Sequence, residues 1–124
     1  MEVKTYFFDT YAFFEVICNN KDYEKFMYGI NLITTRFNLM ELYYGLLLKY
    51  NKNVAELYYD INLDYCIDVT DEIIKEAMIF RAVDKKRNLS YIDCIGYVLA
   101  KKVGARFLTG DKEFEYLDNV EFVK

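Results

Sequence analysis

The stretch Val3-Lys4-Thr5-Tyr6-Phe7-Phe8-Asp9-Thr10-Tyr11-Ala12-Phe13-Phe14-Glu15-Val16-Ile17-Cys18 changes character at Asp9. Val3 to Phe8 is β-branched and aromatic and reads as a short strand. After Asp9, Thr10 stands where an N-cap would open a helix running to about Cys18. A strand that feeds a helix at once is the unit of an α/β fold.

Working outward, the alternation continues. A helix over about Lys21 to Tyr28 ends near Gly29, and Leu32 to Thr35 is a β-branched run suited to a second strand. Helices follow at about Arg36 to Tyr50 and Val54 to Ile61. Tyr65 to Val69 reads as a third strand, with Thr70 or Asp71 capping a helix over about Glu72 to Lys86, where Ile73, Ala77, Phe80 and Val83 form a stripe. Ser90 opens a helix to about Val103, stopped by Gly104. Phe107 to Thr109 reads as a strand, Asp111 to Leu117 as a helical turn and Val120 to Val123 as a last strand. Such an order predicts a parallel sheet covered on both faces with right-handed crossovers, and a ligand site beyond the carboxyl ends of its strands. No repeat and no proline-marked linker divides the 124 residues, so 1–124 is expected to be a single domain.

Composition narrows the chemistry. With 54% hydrophobic residues, 13 Tyr and 10 Phe, there is apolar surface enough for a core, and disorder is excluded. Histidine is absent, which removes Ser-His-Asp and Cys-His catalysis, imidazole bases and His-ligated zinc. Cys18, Cys66 and Cys94 are an odd count without C-x-x-C spacing, so neither a disulfide framework nor a thiolate zinc site is expected. Asp9 and Glu15 interrupt any signal-peptide core, and no run reaches the roughly 20 apolar residues of a membrane span. The expectation is a soluble cytoplasmic protein without a membrane partner.

Four carboxylates stand apart from the other acids. Asp9 closes the first strand, where α/β sheets build sites, although an Asp beside a helix start also serves the dipole. Glu41 is the only charge between Arg36 and Lys49, in a helix apolar on nearly all sides; its own face carries Phe37, Asn38, Tyr44 and Gly45. A buried acid needs a cation or an ion pair. Asp93 completes the capping box Ser90-Tyr91-Ile92-Asp93, and capping does not exclude ligation. Asp111 follows Gly110 at the end of Arg106-Phe107-Leu108-Thr109 and is equally a turn residue. If the first strand and the Phe107 strand are neighbours, all four converge on one cleft, where mutual repulsion raises their pKa values unless a cation intervenes. All-oxygen donors point to Mg²⁺ or Mn²⁺. Paired divalent ions about 3.5–4 Å apart serve in-line displacement at phosphorus.

Charge is unevenly placed. Between Arg81 and Arg106 seven cations face only Asp84 and Asp93, a surplus of five, so the rest of a chain of net charge −4 carries −9. A basic segment of this kind is either a polyanion footprint or an ordinary solvated surface.

These residues resemble the PIN-domain family, in particular the small single-domain ribonucleases typified by VapC toxins. The matching pieces are Phe8-Asp9-Thr10, Asn38-Leu39-Met40-Glu41-Leu42, Leu89-Ser90-Tyr91-Ile92-Asp93 and Phe107-Leu108-Thr109-Gly110-Asp111-Lys112-Glu113-Phe114, with Val120 to Val123 behind them. The likeness spans essentially the whole chain, each motif weak alone and the ordered set of four fairly specific. The resemblance implies a three-layer α/β/α sandwich with a central parallel sheet, and a Mg²⁺- or Mn²⁺-dependent endoribonuclease leaving 5′-phosphates. It implies that Asp9, Glu41, Asp93 and Asp111 form the acidic, metal-holding quartet, with Thr10 and Thr109 as supporting hydroxyls. A homodimer and a cognate antitoxin that silences the cleft are further implications, and the aromatic-rich helix with Tyr43, Tyr44, Leu46, Leu47 and Leu48 offers an interface. Lys85, Lys86, Arg87, Lys101 and Lys102 are candidate contacts to the RNA backbone. The alternative is a catalytically silent PIN-like module that binds RNA or protein. Asp9-Thr10-Tyr11 also faintly resembles haloacid-dehalogenase-type phosphatases, but Tyr11 stands where those need a second acid.

Overall fold

Tyr6, Phe7 and Phe8 send their rings alternately to opposite sides of one strand, and each side finds a core. In a computed structural model describing residues 2–124, this strand is β1 (Thr5–Phe8). It is flanked by β2 (Asn31–Ile33) and β3 (Arg106–Thr109), and β4 (Val120–Phe122) lies beyond β3. All three pairings are parallel, in the order β2-β1-β3-β4, with Phe7 opposite Ile33 and Phe107.

On one face Tyr6, Phe8 and Leu108 pack under α1 (Thr10–Ile17), α2 (Arg36–Lys49) and α3 (Lys52–Asn62), meeting Phe13, Leu39, Leu42 and Leu46. On the other, Phe7 and Phe107 stack with ring centroids 5.6 Å apart beneath α4 (Asp71–Val83) and α5 (Tyr91–Lys102). The fold is thus a three-layer α/β/α sandwich, as expected. Gly96 lets α5 lie close on the sheet: a Cβ there would stand 2.8 Å from the Phe7 ring. Successive connections leave β1 and β3 in opposite directions, so the switch point of the sheet lies between their carboxyl ends.

Three expectations need correction. Tyr65 to Val69 is not a strand. Leu63–Tyr65 forms a 3-10 turn, and only Cys66 makes an isolated bridge, to Thr34. Ile67 and Val69 are apolar because they pack into the core beside α4 and α5, not because they extend a ladder. The second helix is a 3-10 segment, Lys21–Phe26, whose three-residue period puts Tyr23 and Phe26 together in the core. And the N-cap of α1 is Asp9 rather than Thr10: its Oδ1 accepts the Ala12 N–H at 2.7 Å, leaving the Thr10 hydroxyl for a longer reach.

Candidate active site

Asp9 leaves β1 directly beside Leu108, whose carbonyl accepts the Asp9 N–H at 3.3 Å. The turn after β3 begins in the same place. There the buried Thr109 Oγ1 accepts the Asp111 N–H at 3.0 Å, and its own proton supports the Asp9 carboxylate. Gly110 holds this turn tight, since a Cβ would run into the Tyr11 ring and the Val123 carbonyl. Asp111 Oδ1 in turn accepts from the Glu113 N–H at 3.0 Å, capping the 3-10 turn Lys112–Phe114.

From α2, the half-buried Glu41 turns back toward α1, where Thr10 Oγ1 donates to its Oε1 at 2.7 Å. From α5, Asp93 closes a capping box: it donates its N–H to Ser90 Oγ at 3.0 Å and accepts the Ser90 N–H on Oδ2 at 3.1 Å. One oxygen of each acid is thereby anchored. Among the described residues the second oxygens of Glu41, Asp93 and Asp111 accept no hydrogen bond.

Asp9, Glu41, Asp93 and Asp111 line a single open cavity of about 570 Å³, together with Thr10, Tyr11, Tyr44 and Ser90. No lysine or arginine pairs with any of the four among the described residues. The electrostatic consequence is large. Burial pushes the pKa of Asp9, 3% exposed, from 3.8 up to about 8, against the Thr109 and Ala12 hydrogen bonds and with added repulsion from Asp93 and Asp111. Burial also raises Glu41, opposed by Thr10 and reinforced by Asp93; it raises Asp93, opposed by Ser90 and reinforced by Asp111.

This donor set, all oxygen and short of positive charge, fits a hard divalent cation. Among the described residues no three acids or thiols lie close enough to enclose an ion by themselves. An ion held here would need water or phosphate oxygens to complete its shell.

The basic residues divide. Lys85, Lys86 and Arg87 form a 3-10 turn just before α5, where Arg87 pairs with Asp84 and donates to the Glu113 carbonyl at 3.1 Å, tying that turn to the segment after Asp111. Lys101 and Lys102 sit at the opposite end of α5 from Asp93. There Lys101 pairs with Asp118, and Lys102 with Glu72 and Glu76. Tyr44, 63% exposed, reaches the cavity through the i+3 spacing from Glu41, whereas Phe37 faces a separate groove with Arg36 and Tyr43. Sequence reasoning missed Tyr11, whose two-residue separation from Asp9 in a helix start gave no periodic signal.

The family model for the PIN domain matches residues 6–120. The fold is similar to that of VapC20 from Mycobacterium tuberculosis, described as a Sarcin-Ricin loop cleaving toxin, at 17% identity and TM-score 0.80, covering 95% of this chain and 96% of that one. It is similar also to VapBC2 from Rickettsia felis, solved bound to a DNA fragment from their promoter, at 19% identity and TM-score 0.74 over 96% and 97%. A toxin-antitoxin complex from Klebsiella pneumoniae matches at 15% identity and TM-score 0.71 over 93% and 94%. No curated protein sequence is significantly similar to the chain.

Proposed function

The chain belongs to the PIN-domain family, and from that footing we propose that it is a Mg²⁺- or Mn²⁺-dependent endoribonuclease acting as the toxin of a toxin–antitoxin pair. The observation that carries this reading is the cavity itself: four carboxylates from four separate stretches of chain, with no protein cation among the described residues to neutralise them.

In this reading Asp9, Glu41, Asp93 and Asp111 would hold the metal together with water or phosphate oxygens. When bound, the ion supplies positive charge against the phosphodiester and makes water a stronger acid. The chain's own groups do the positioning. Thr109 bridges Asp9 and the Asp111 backbone, Thr10 steadies Glu41, and the Ser90 box fixes Asp93. Lys85 and Lys86, exposed beside the start of α5, take the RNA backbone. Tyr44 and Leu48 continue the cavity as an exposed apolar surface on α2, which suits an antitoxin segment or a second copy of the chain. The Klebsiella relative, described as a toxin-antitoxin complex, supports the choice of an antitoxin. Among the described residues no helix is long and apolar enough to cross a membrane.

The test is cleavage of labelled RNA in Mn²⁺ or EDTA by wild type and Asp9→Asn. Wild type should cut only with metal, and the variant should be inactive yet folded, because Asn caps a helix as well as Asp does. Equal activity in both proteins, or cleavage indifferent to chelator, refutes the proposal. RNA that is bound but left intact in Mn²⁺ favours the silent binding module instead.

A further inference from the structure

We propose that Asn38 is a positioning residue that sets the direction of a hydrogen-bond chain ending on Glu41, and so readies that carboxylate for a metal ion; this rests on the metal-site reading above. Asn38 is 2% exposed and Thr35, one helical turn before it, 1%. Thr35 Oγ1 accepts the Asn38 backbone N–H at 3.3 Å as the N-cap of α2, and spends its proton on Asn38 Oδ1 at 2.7 Å. In this arrangement the amide carbonyl faces Thr35 and its NH₂ faces α1. Asn38 Nδ2 then donates to Thr10 Oγ1 at 3.4 Å, and Thr10 Oγ1 donates to Glu41 Oε1 at 2.7 Å.

The order of donors matters more than any one bond. A hydroxyl has one proton, and Thr10 Oγ1 has two polar neighbours, the Asn38 amide and the Glu41 carboxylate. Because the amide NH₂ can only donate, the Thr10 oxygen must accept there, and its proton has nowhere to go but Glu41. Every proton from Thr35 onward therefore points toward the cavity, and Glu41 is held as an acceptor with Oε2 free. Glu41 has no other anchor: among the described residues no cation reaches it. Outer partners of this kind tune metal affinity through the group they orient.

Calorimetric titration of the full chain with Mn²⁺ alone tests this, comparing wild type, Asn38→Ala, Thr10→Val and the double variant, with melting temperatures alongside. Each single variant should bind Mn²⁺ about tenfold more weakly. The double variant should bind no more weakly than Thr10→Val, because Asn38 acts only through Thr10. A merely structural Asn38 would lower the melting temperature and leave Mn²⁺ affinity unchanged. That result, or losses that multiply in the double variant, overturns the proposal while leaving the metal site standing. If Asn38→Ala does not fold, Asn38→Leu, close in size and suited to a buried helical position, is judged by the same criteria. A wild type that binds no Mn²⁺ overturns both the proposal and the reading beneath it.

Discussion

Asp9 ends β1 and caps α1 with one carboxylate, so burial and capping act on it in opposite senses. Burial wins, and the pKa rises from 3.8 to about 8. Folding thus favours the protonated acid. The stability Asp9 contributes in the absence of metal is complete below about pH 4 and is lost as pH climbs through about 8. Glu41 and Asp93 are shifted in the same direction and add to the trend. A cation bound there would invert it by favouring the ionised forms. Melting temperatures in EDTA should therefore fall as pH rises across that window, and Mn²⁺ should restore them most at the alkaline end. Asp9→Asn, which keeps the cap and cannot ionise, should flatten much of the fall in EDTA. A wild type whose melting temperature in EDTA is level from pH 4 to 8 would mean that the acids are far better solvated than their burial implies.

At the scale of elements, the contact between α5 and the sheet decides where Asp93 stands. Gly96 faces Phe7 and Phe107, rings that are wholly buried and stacked on each other and so have no space into which to swing. Gly96→Ala gains about 1 kcal/mol of helix propensity, but an extra methyl in a close-packed core costs about 1–3 kcal/mol. The cost should prevail, lowering the denaturation midpoint; a raised midpoint would show that α5 lifts off the sheet freely. Which elements were legible follows from the same physics. The strands around Phe7 and Phe107, the capping box of α5, the N-cap of α4 and its apolar stripe carry local signals that tertiary contacts then reinforce. Tyr65 to Val69 misled because an apolar run looks the same whether it pairs in a ladder or merely leans on a core. Glu41 and Asp93 stood out as charges beside apolar runs, and Asp9 and Asp111 as acids at the ends of strands. Their anchoring was not: that Asp9 rather than Thr10 caps α1, and that Thr10 reaches Glu41 instead, depends on residues 31 positions apart meeting in space.

Over the whole molecule, the basic segment seen in the sequence resolves into neutralised and free charge. Lys101, Lys102 and Arg106 are paired with Asp118, with Glu72 and Glu76, and with Glu121; Arg87 is paired with Asp84, and Arg81 lies over the Tyr91 ring and donates to the Leu89 carbonyl. Lys85 and Lys86 alone among these seven cations contact neither an acid, a carbonyl nor a ring among the described residues. In a chain of net charge −4, a polyanion is attracted where positive charge is left over, and within this basic segment that is the turn just before α5, the helix whose first turn carries Asp93. RNA binding measured against salt in the Asp9→Asn background, where the RNA stays whole, checks this. Lys85→Ala with Lys86→Ala should weaken binding and flatten the plot of log affinity against log salt by about 0.7 for each phosphate that the protein no longer neutralises. Lys101→Ala with Lys102→Ala should leave the slope unchanged and, because the ion pairs they remove are exposed and screened, barely move the melting temperature. The reverse pattern would route the RNA past the far end of α5, roughly 16 Å away along a twelve-residue helix, where no carboxylate of the cavity stands to cut it.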